Sequence, residues 1–424
     1  MTNAKSPLAI LLMLFAFCLG ACDNSKEREL EFIKENIEFS EAQTKLMLDN
    51  VGKPAKNNYP RTMNDAGKLV VTSIYDWTPG FFPGSLWYLY ELSGDQFWLK
   101  NAEEWTNQLE VLKHFTGHHD LGFMMYCSYG NAKRLAPRDG QDSILITSAS
   151  SLASRYSPIT ETIKSWNYRK AWNDTVEWFY PVIIDNMMNL ELLTQGSKLA
   201  KDDKYKNIAI THAKTTLKNQ FRDDYTNYHV VNYDPKTGEV LNQATCQGYS
   251  DNSVWARGQA WAIYGYAMMY RETGEKDFLV ASERMADWYL QNLPEDLVPL
   301  WDFNVGQEGY NPEEKSYAVK FKGENLRDVS AAAITCSGLF ELGELTKNKL
   351  YTEKAIQMLH VLGSDKYRAQ LGKNANFILM HSVGSIPHIN EIDKPLVYAD
   401  YYFLESLVRY RNLLESGSIY GVKN

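Results

Sequence analysis

Glu272-Thr273-Gly274-Glu275-Lys276-Asp277-Phe278, with Ala281 three residues further on, is the stretch that decides the fold. A helical run ends in a polar turn, glycine stops it, and an aromatic residue with a small alanine opens the next run. The pattern recurs in Glu91-Leu92-Ser93-Gly94-Asp95-Gln96-Phe97 with Ala102. It recurs again in Lys201-Asp202-Asp203-Lys204-Tyr205 with Ala209, and in Thr346-Lys347-Asn348-Lys349-Leu350-Tyr351 with Ala355. Tyr205, Phe278 and Tyr351 are spaced 73 residues apart. Such a period means helical hairpins packed side by side. Hairpins of this length tile the chain about six times. Closed in a ring they make a single-domain, all-α (α/α)6 barrel of six helical hairpins; left open they make a solenoid. Short loops then join helices at one end, and longer inserts build a site at the other.

Outward from this stretch the period stays helical. Val176 to Leu193, Trp255 to Tyr270, Phe278 to Leu293 and Asp400 to Leu413 repeat apolar residues every three or four positions. Strand-like runs are few and short, such as Tyr228 to Tyr233. The net charge of -8 argues against a nucleic-acid partner. Aromatics at 13% suit a large helical core or a cleft lined by rings for sugars. Beyond Cys18 and Cys22, only Cys127, Cys246 and Cys336 remain, too scattered for a disulfide framework or a zinc site.

The first residues address the chain. Lys5 precedes an apolar run from Leu8 to Leu19, too short to span a bilayer, as in a secretory signal. It ends in Leu19-Gly20-Ala21-Cys22, which resembles the bacterial lipobox, whose Cys thiol accepts lipid. The expected layout is a signal peptide over 1–21, a lipidated Cys22 with a polar tether over 22–40, the barrel over 41–417 and a tail over 418–424. The expected location is the cell envelope or periplasm of a bacterium, with the membrane met through the lipid alone.

Four segments look wrong for plain structure. Tyr75-Asp76-Trp77-Thr78-Pro79-Gly80-Phe81-Phe82-Pro83-Gly84 makes a rigid aromatic loop, with Trp77 as a candidate for stacking on sugar. In His118-His119-Asp120, bracketed by Gly117 and Gly122, the aspartate sits on a loop, as turn former or catalyst. Two histidines and an aspartate suit a metal, but no further cluster completes a shell, so no metal is expected. Asp185 follows Pro181-Val182-Ile183-Ile184 and precedes Asn186-Met187-Met188-Asn189. It is either a helix N-cap without its usual partner, since position 188 is Met, or a carboxyl whose pKa burial raises. Asp120 is its candidate neighbour. Finally, Arg257 and Trp261 share one helix face downstream of Gln247. An arginine fork and an indole suit a sugar acid, or else Arg257 pairs with a buried acid.

These segments together resemble glycoside hydrolase family 88, the unsaturated glucuronyl hydrolases. The resemblance runs from the Asp76-Trp77 loop to Tyr410 and includes Asp328-Val329-Ser330-Ala331-Ala332-Ala333-Ile334 and Val397-Tyr398-Ala399-Asp400-Tyr401-Tyr402-Phe403. It implies the (α/α)6 barrel, with Asp120 and Asp185 as the catalytic pair. Substrate contacts are implied at His119, Trp166, His229, Gln247, Arg257 and Trp261, with Trp172 or Trp178 as alternatives to Trp166 in a lengthened stretch. Some members carry a Ser-x-x-Ser-x-Lys pattern linked to sulfated substrates; here Ser382 and Ser385 are present and Pro387 replaces the lysine.

The implied substrate is an oligosaccharide ending in a 4,5-unsaturated uronic acid left by a polysaccharide lyase, with glycosaminoglycan-type disaccharides favoured. The implied chemistry hydrates a vinyl ether, unlike hydrolysis directly at the anomeric carbon. It needs no cofactor and no obligate protein partner. The alternatives are an unsaturated rhamnogalacturonyl hydrolase of family 105 acting on pectin fragments, and a glycan-binding lipoprotein without catalysis.

Overall fold

All four aromatic-and-alanine openings begin helices of an outer layer. The structure, a computed structural model, describes residues 7–171, 176–312 and 325–421, with side chains from residue 26 onward. The helices are α1 (Pro7–Val51), α2 (Phe81–Ser93), α3 (Gln96–Asn107), α4 (Leu121–Met125), α5 (Asn131–Leu135), α6 (Gln141–Ala153) and α7 (Asn186–Ala200). They continue as α8 (Lys204–Asn219), α9 (Ala256–Thr273), α10 (Lys276–Gln291), α11 (Val329–Thr346), α12 (Lys349–Leu362) and α13 (Val397–Ser416). A π turn at Tyr126–Gly130 joins α4 to α5, so the two act as one helix.

Helices α2, α4–α5, α7, α9, α11 and α13 each pack on the next, and α13 packs back on α2. The ring is closed. Helices α1, α3, α6, α8, α10 and α12 surround it, which completes the all-α (α/α)6 barrel and excludes the open solenoid. Patterning explains which helix goes where. The inner helices α9 and α11 are buried along almost their whole lengths. Outer α10 buries one stripe only, Phe278, Ala281, Met285, Ala286 and Tyr289, at helical spacing. Ala102, Ala209, Ala281 and Ala355 are all buried where outer helices lie on inner ones. Gly94 and Gly274 end their helices in the left-handed region, at φ 70° and 74°. Lys201 and Lys347 hold the same conformation at φ 55° and 57°, where side chains are disfavoured.

The inner helices begin at one mouth of the barrel, and the inserts there form small antiparallel sheets rather than irregular loops. Strands β1 (Tyr59–Met63) and β2 (Leu69–Thr72) pair, as do β3 (Tyr156–Ser157) with β4 (Thr162–Ile163), and β5 (Arg169–Lys170) with β6 (Glu177–Trp178). Strands β7 (Pro181–Ile183), β8 (Val230–Tyr233) and β9 (Val240–Ala244) form a three-stranded sheet, and β10 (Ser382–Ser385) pairs with β11 (Asn390–Lys394). At the other mouth the inner helices carry half-buried and buried ion pairs. Arg271 meets Glu191, Glu272 and Glu341, and Arg409 meets Glu341 and Glu405. Cations are favourable at helix C-termini.

The expected boundaries shift at both ends. Segment 22–40 is helical rather than a loose tether, and Ile33, Asn36 and Ser40 are already buried. Asn36 accepts a hydrogen bond from Arg368 at 2.9 Å, so the barrel begins before residue 41. Ile419, in the expected tail, is buried too. The side chain of Cys22 and those of the signal segment lie outside the described residues. Among the described residues no helix is long and apolar enough to cross a membrane.

Candidate active site

Strand pairing decides which residues meet. Ile183 stands opposite Val230, and Val230 opposite Ala244. Asp185, His229 and Cys246-Gln247, which follow or precede those pairs, come to one edge of the sheet. The Ile184 N–H donates to the His229 carbonyl at 3.1 Å. The Nδ1 of His229 accepts the N–H groups of Cys246 at 3.0 Å and Gln247 at 3.2 Å. A ring nitrogen that accepts carries no proton, so the neutral imidazole holds its hydrogen on Nε2. That nitrogen faces Asp185 Oδ2 at 3.6 Å, too far for a hydrogen bond between them.

Asp185 stands at the N-cap position of α7, yet its side chain caps nothing. Asp120 precedes α4 in the same way, also without a cap bond. Both are buried. Burial pushes the Asp185 carboxyl up to about 7; Arg257 opposes the rise, Asp120 adds to it, and the Trp261 indole opposes it. Burial also works to raise Asp120, but His119 and the hydrogen bond from His118 outweigh it and hold its pKa below the ordinary value. The contacts are His118 Nδ1 to Oδ2 at 3.0 Å and His119 Nε2 to Oδ1 at 3.4 Å. Two neighbouring carboxyls are thus pushed apart, one toward holding a proton and one toward charge.

The contrast with Asp400 is instructive. Burial pushes it up to about 7 as well. However, its two oxygens accept the N–H groups of Ile378 and Leu379, both at 2.9 Å, as a structural acid does. Asp185 Oδ2 has no hydrogen-bond partner, nor do the buried Nε2 of His119, Nε2 of His229 and Nε1 of Trp261. Buried polar atoms in native proteins are normally paired, so unpaired ones beside the Asp185 and Asp120 carboxyls mark a place for a polar ligand.

Helices α4 and α7 are held together at this point. Asn189 Oδ1 accepts the Phe123 N–H at 2.9 Å. Gly122 lies on Asn189 so closely that a Cβ there would stand 2.4 Å from Asn189 Cα. The inner-helix starts also carry Trp77, packed on Phe81 and Tyr398, and Arg257 and Asp328. Convergent helix N-termini favour an anion at this mouth.

A cavity of about 330 Å³ opens here. Of the expected residues, Asp120, Asp185, Trp77, Trp166, Gln247, Arg257 and Ser385 line it. His119, His229, Trp261 and Ser382 stand behind its wall, each almost completely buried. Of the two readings left open for Arg257, it is paired with a buried acid while it lines the cavity. Arg257 Nη1 bonds Asp328 at 2.9 Å and the Val383 carbonyl, and Nη2 bonds the Gly384 carbonyl at 2.6 Å. Its guanidinium therefore ties β10 to the cavity floor. Trp261, expected to stack on the sugar, instead packs beneath it against Phe123 and Tyr402. Trp166 is the wall residue of its stretch; Trp178 lies buried behind it at 6.3 Å, and Trp172 lies outside the described residues. Arg169, Ile183, Cys246, His388 and Asn390 also line the cavity and were not expected. Arg169 follows Trp166 by three residues and His388 follows Ser385 by three, the one local signal that pointed to them. Among the described residues no cluster of three or more His, Cys, Asp or Glu suits a metal ion.

No family model matches the chain. It is 44% identical over 409 residues to the unsaturated glucuronyl hydrolase of Formosa agariphila, covering 95% of this chain and 96% of that protein. The chain belongs to the unsaturated glucuronyl hydrolases. It is a glycosidase acting on oligosaccharides that end in an unsaturated uronic acid. The family's member from Bacillus sp. strain GL1 is 31% identical over 376 residues, 85% of this chain and 94% of that one. Among solved structures, an unsaturated glucuronyl hydrolase specific for heparin aligns with a TM-score of 0.82 at 40% identity, over 90% of this chain and 98% of that one. The Bacillus sp. GL1 enzyme aligns with a TM-score of 0.79 at 28% identity, over 92% and 98%. This family assignment displaces the pectin-directed and the non-catalytic alternatives.

Proposed function

We propose that Asp185 protonates carbon 4 of the unsaturated uronate and that Asp120 positions it. The observation that carries this reading is the pair of carboxyls, Asp120 and Asp185, that line one cavity with opposite pKa shifts. The substrate's double bond joins carbons 4 and 5 and is conjugated to the ring oxygen. Proton transfer from Asp185 to carbon 4 builds positive charge on carbon 5 and that oxygen. Water adds at carbon 5 and gives its proton to the Asp185 carboxylate, which restores the acid. The resulting hemiketal opens, and the neighbouring sugar leaves as the anomeric carbon becomes an aldehyde. Asp120, kept ionised, supports the positive charge and receives a sugar hydroxyl. His229 and His119 back the two carboxyls from behind the wall, Trp77 and Trp166 offer ring faces, and Gln247 and Ser385 offer polar contacts. Arg257 serves by holding β10.

The favoured substrates are glycosaminoglycan-type disaccharides, in keeping with relatives that act on unsaturated chondroitin disaccharide or are specific for heparin. The lipobox ending at Cys22 supports an exported enzyme anchored by lipid in a bacterial envelope. The test is loss of the alkene's ultraviolet absorbance with lyase products of chondroitin, heparin, hyaluronan and gellan or xanthan. Turnover of the glycosaminoglycan products before the others supports the reading. Equal or greater turnover of gellan or xanthan products overturns the substrate preference, and absorbance loss retained in Asp185→Asn overturns the mechanism.

A further inference from the structure

We propose that His118 is a positioning residue of this reaction, held as an imidazolium between the Tyr75 carbonyl and the Asp120 carboxylate, so that Asp120 stays ionised and joined to the loop that carries Trp77. This rests on the reading that Asp120 positions Asp185 and supports the charge on the substrate. His118 does not line the cavity, and its side chain, 19% exposed, stands beside Asp120. It therefore acts through Asp120 rather than on the sugar.

Hydrogen-bond direction fixes the protons. A peptide carbonyl only accepts, so His118 Nε2, 3.2 Å from the Tyr75 oxygen, carries a hydrogen. His118 Nδ1 lies 3.0 Å from Asp120 Oδ2, and the Asp120 N–H faces the same nitrogen at 3.3 Å. With no hydrogen between Nδ1 and Oδ2, two lone pairs would meet at that distance, so one proton lies there. The surroundings put it on the ring. Asp120 Oδ1 has His119 Nε2 at 3.4 Å, and the Arg155 guanidinium also favours the ionised carboxylate. Burial works against a charged His118, but the hydrogen bond and charge of Asp120 and the Tyr75 carbonyl outweigh it, with Arg155 in opposition, and its pKa rises. Burial wins instead at adjacent His119, which falls to about 4 and stays neutral. The Phe115 ring packs edge-on against His118 at 4.8 Å, and on the loop side Lys56 Nζ lies over the Tyr75 ring. Tyr75 stands two residues before Trp77, and Asp76 Oδ1 accepts the N–H and the hydroxyl of Thr78 at 3.0 and 2.7 Å, so the loop is pinned on both sides of Trp77. One imidazolium thus governs both the charge of Asp120 and its link to the Trp77 wall.

The experiment follows kcat and KM across pH on an unsaturated chondroitin disaccharide, for wild-type protein, His118→Gln, Asp120→Asn and the double variant. His118→Gln keeps a donor for one partner and loses the charge. It should lower kcat about 10- to 100-fold, as for a lost charge-assisted hydrogen bond, with KM changed less than about threefold. The acid limb of its kcat profile should move to higher pH, because burial then acts on Asp120 with less to oppose it. In the Asp120→Asn background the same substitution should cost less than about threefold, since its effect runs through the missing carboxylate. Nitrogen NMR of the wild-type protein, which depends on no variant folding, should show both His118 ring nitrogens protonated at pH 7, where an ordinary histidine is mostly neutral. A bare ring nitrogen there, an unmoved acid limb, an equal loss in both backgrounds or an unchanged kcat in His118→Gln would each overturn the inference. Near-native turnover by Asp120→Asn alone would instead break the underlying assignment of Asp120.

Discussion

Replacing Asp185 with asparagine should stabilise the fold while it abolishes activity. Burial carries the carboxyl from 3.8 to about 7. Between those values the folded protein binds a proton that the unfolded chain releases, so stability falls as pH rises through the window and the penalty is complete above about 7. About three units at roughly 1.4 kcal/mol each put the penalty at up to about 4 kcal/mol. Asparagine keeps the shape without the charge, so urea unfolding at pH 8 should show Asp185→Asn more stable by about 2–4 kcal/mol. The gain should shrink to about half by pH 5 and vanish below about pH 4. In the same protein, turnover should drop about 100- to 10,000-fold with binding retained. The wild-type kcat/KM should fall as pH passes about 7, when the donor loses its proton. If Asp185→Asn is no more stable than wild type at pH 8, the carboxylate is already solvated or paired and the argument from apolar burial fails. Near-native turnover by a folded Asp185→Asn would refute its role as donor.

Arg257→Ala strands the buried Asp328 and releases β10, so it should cost about 3–5 kcal/mol of stability in denaturant unfolding. A variant that loses substrate binding with stability intact would return the fork to the substrate. Gly122→Ala puts a methyl 2.4 Å from Asn189 Cα and prises α4 from α7. It should cost about 1–3 kcal/mol, with kcat falling as Asp120 and Asp185 separate; unchanged kcat and melting temperature would contradict that coupling. Lys347→Gly relieves a left-handed residue at the end of α11 and should raise stability by about 0.5–1 kcal/mol in thermal melts, and a loss of stability would argue against strain there.

Local chemistry made the barrel legible in the sequence. The stops at Gly94 and Gly274, the aromatics at Phe278 and Tyr351 and the buried alanines beside them are set by a helix's own period and ends. The same locality exposed Asp185, because an aspartate between Ile184 and Met188 advertises its apolar setting within a few residues. Other features required the closed ring. Whether Arg257 reaches a sugar or an acid depends on Asp328, 71 residues away on the next inner helix. Trp261 turns beneath the cavity rather than into it because Phe123 and Tyr402 come from helices across the barrel. The Arg169–His388 contact joins two inserts that no repeat pattern relates. Periodicity says which face of a helix is apolar, but the partner of a polar side chain is chosen by the packing of distant segments, and that choice divides the charges that hold the barrel from those left for substrate.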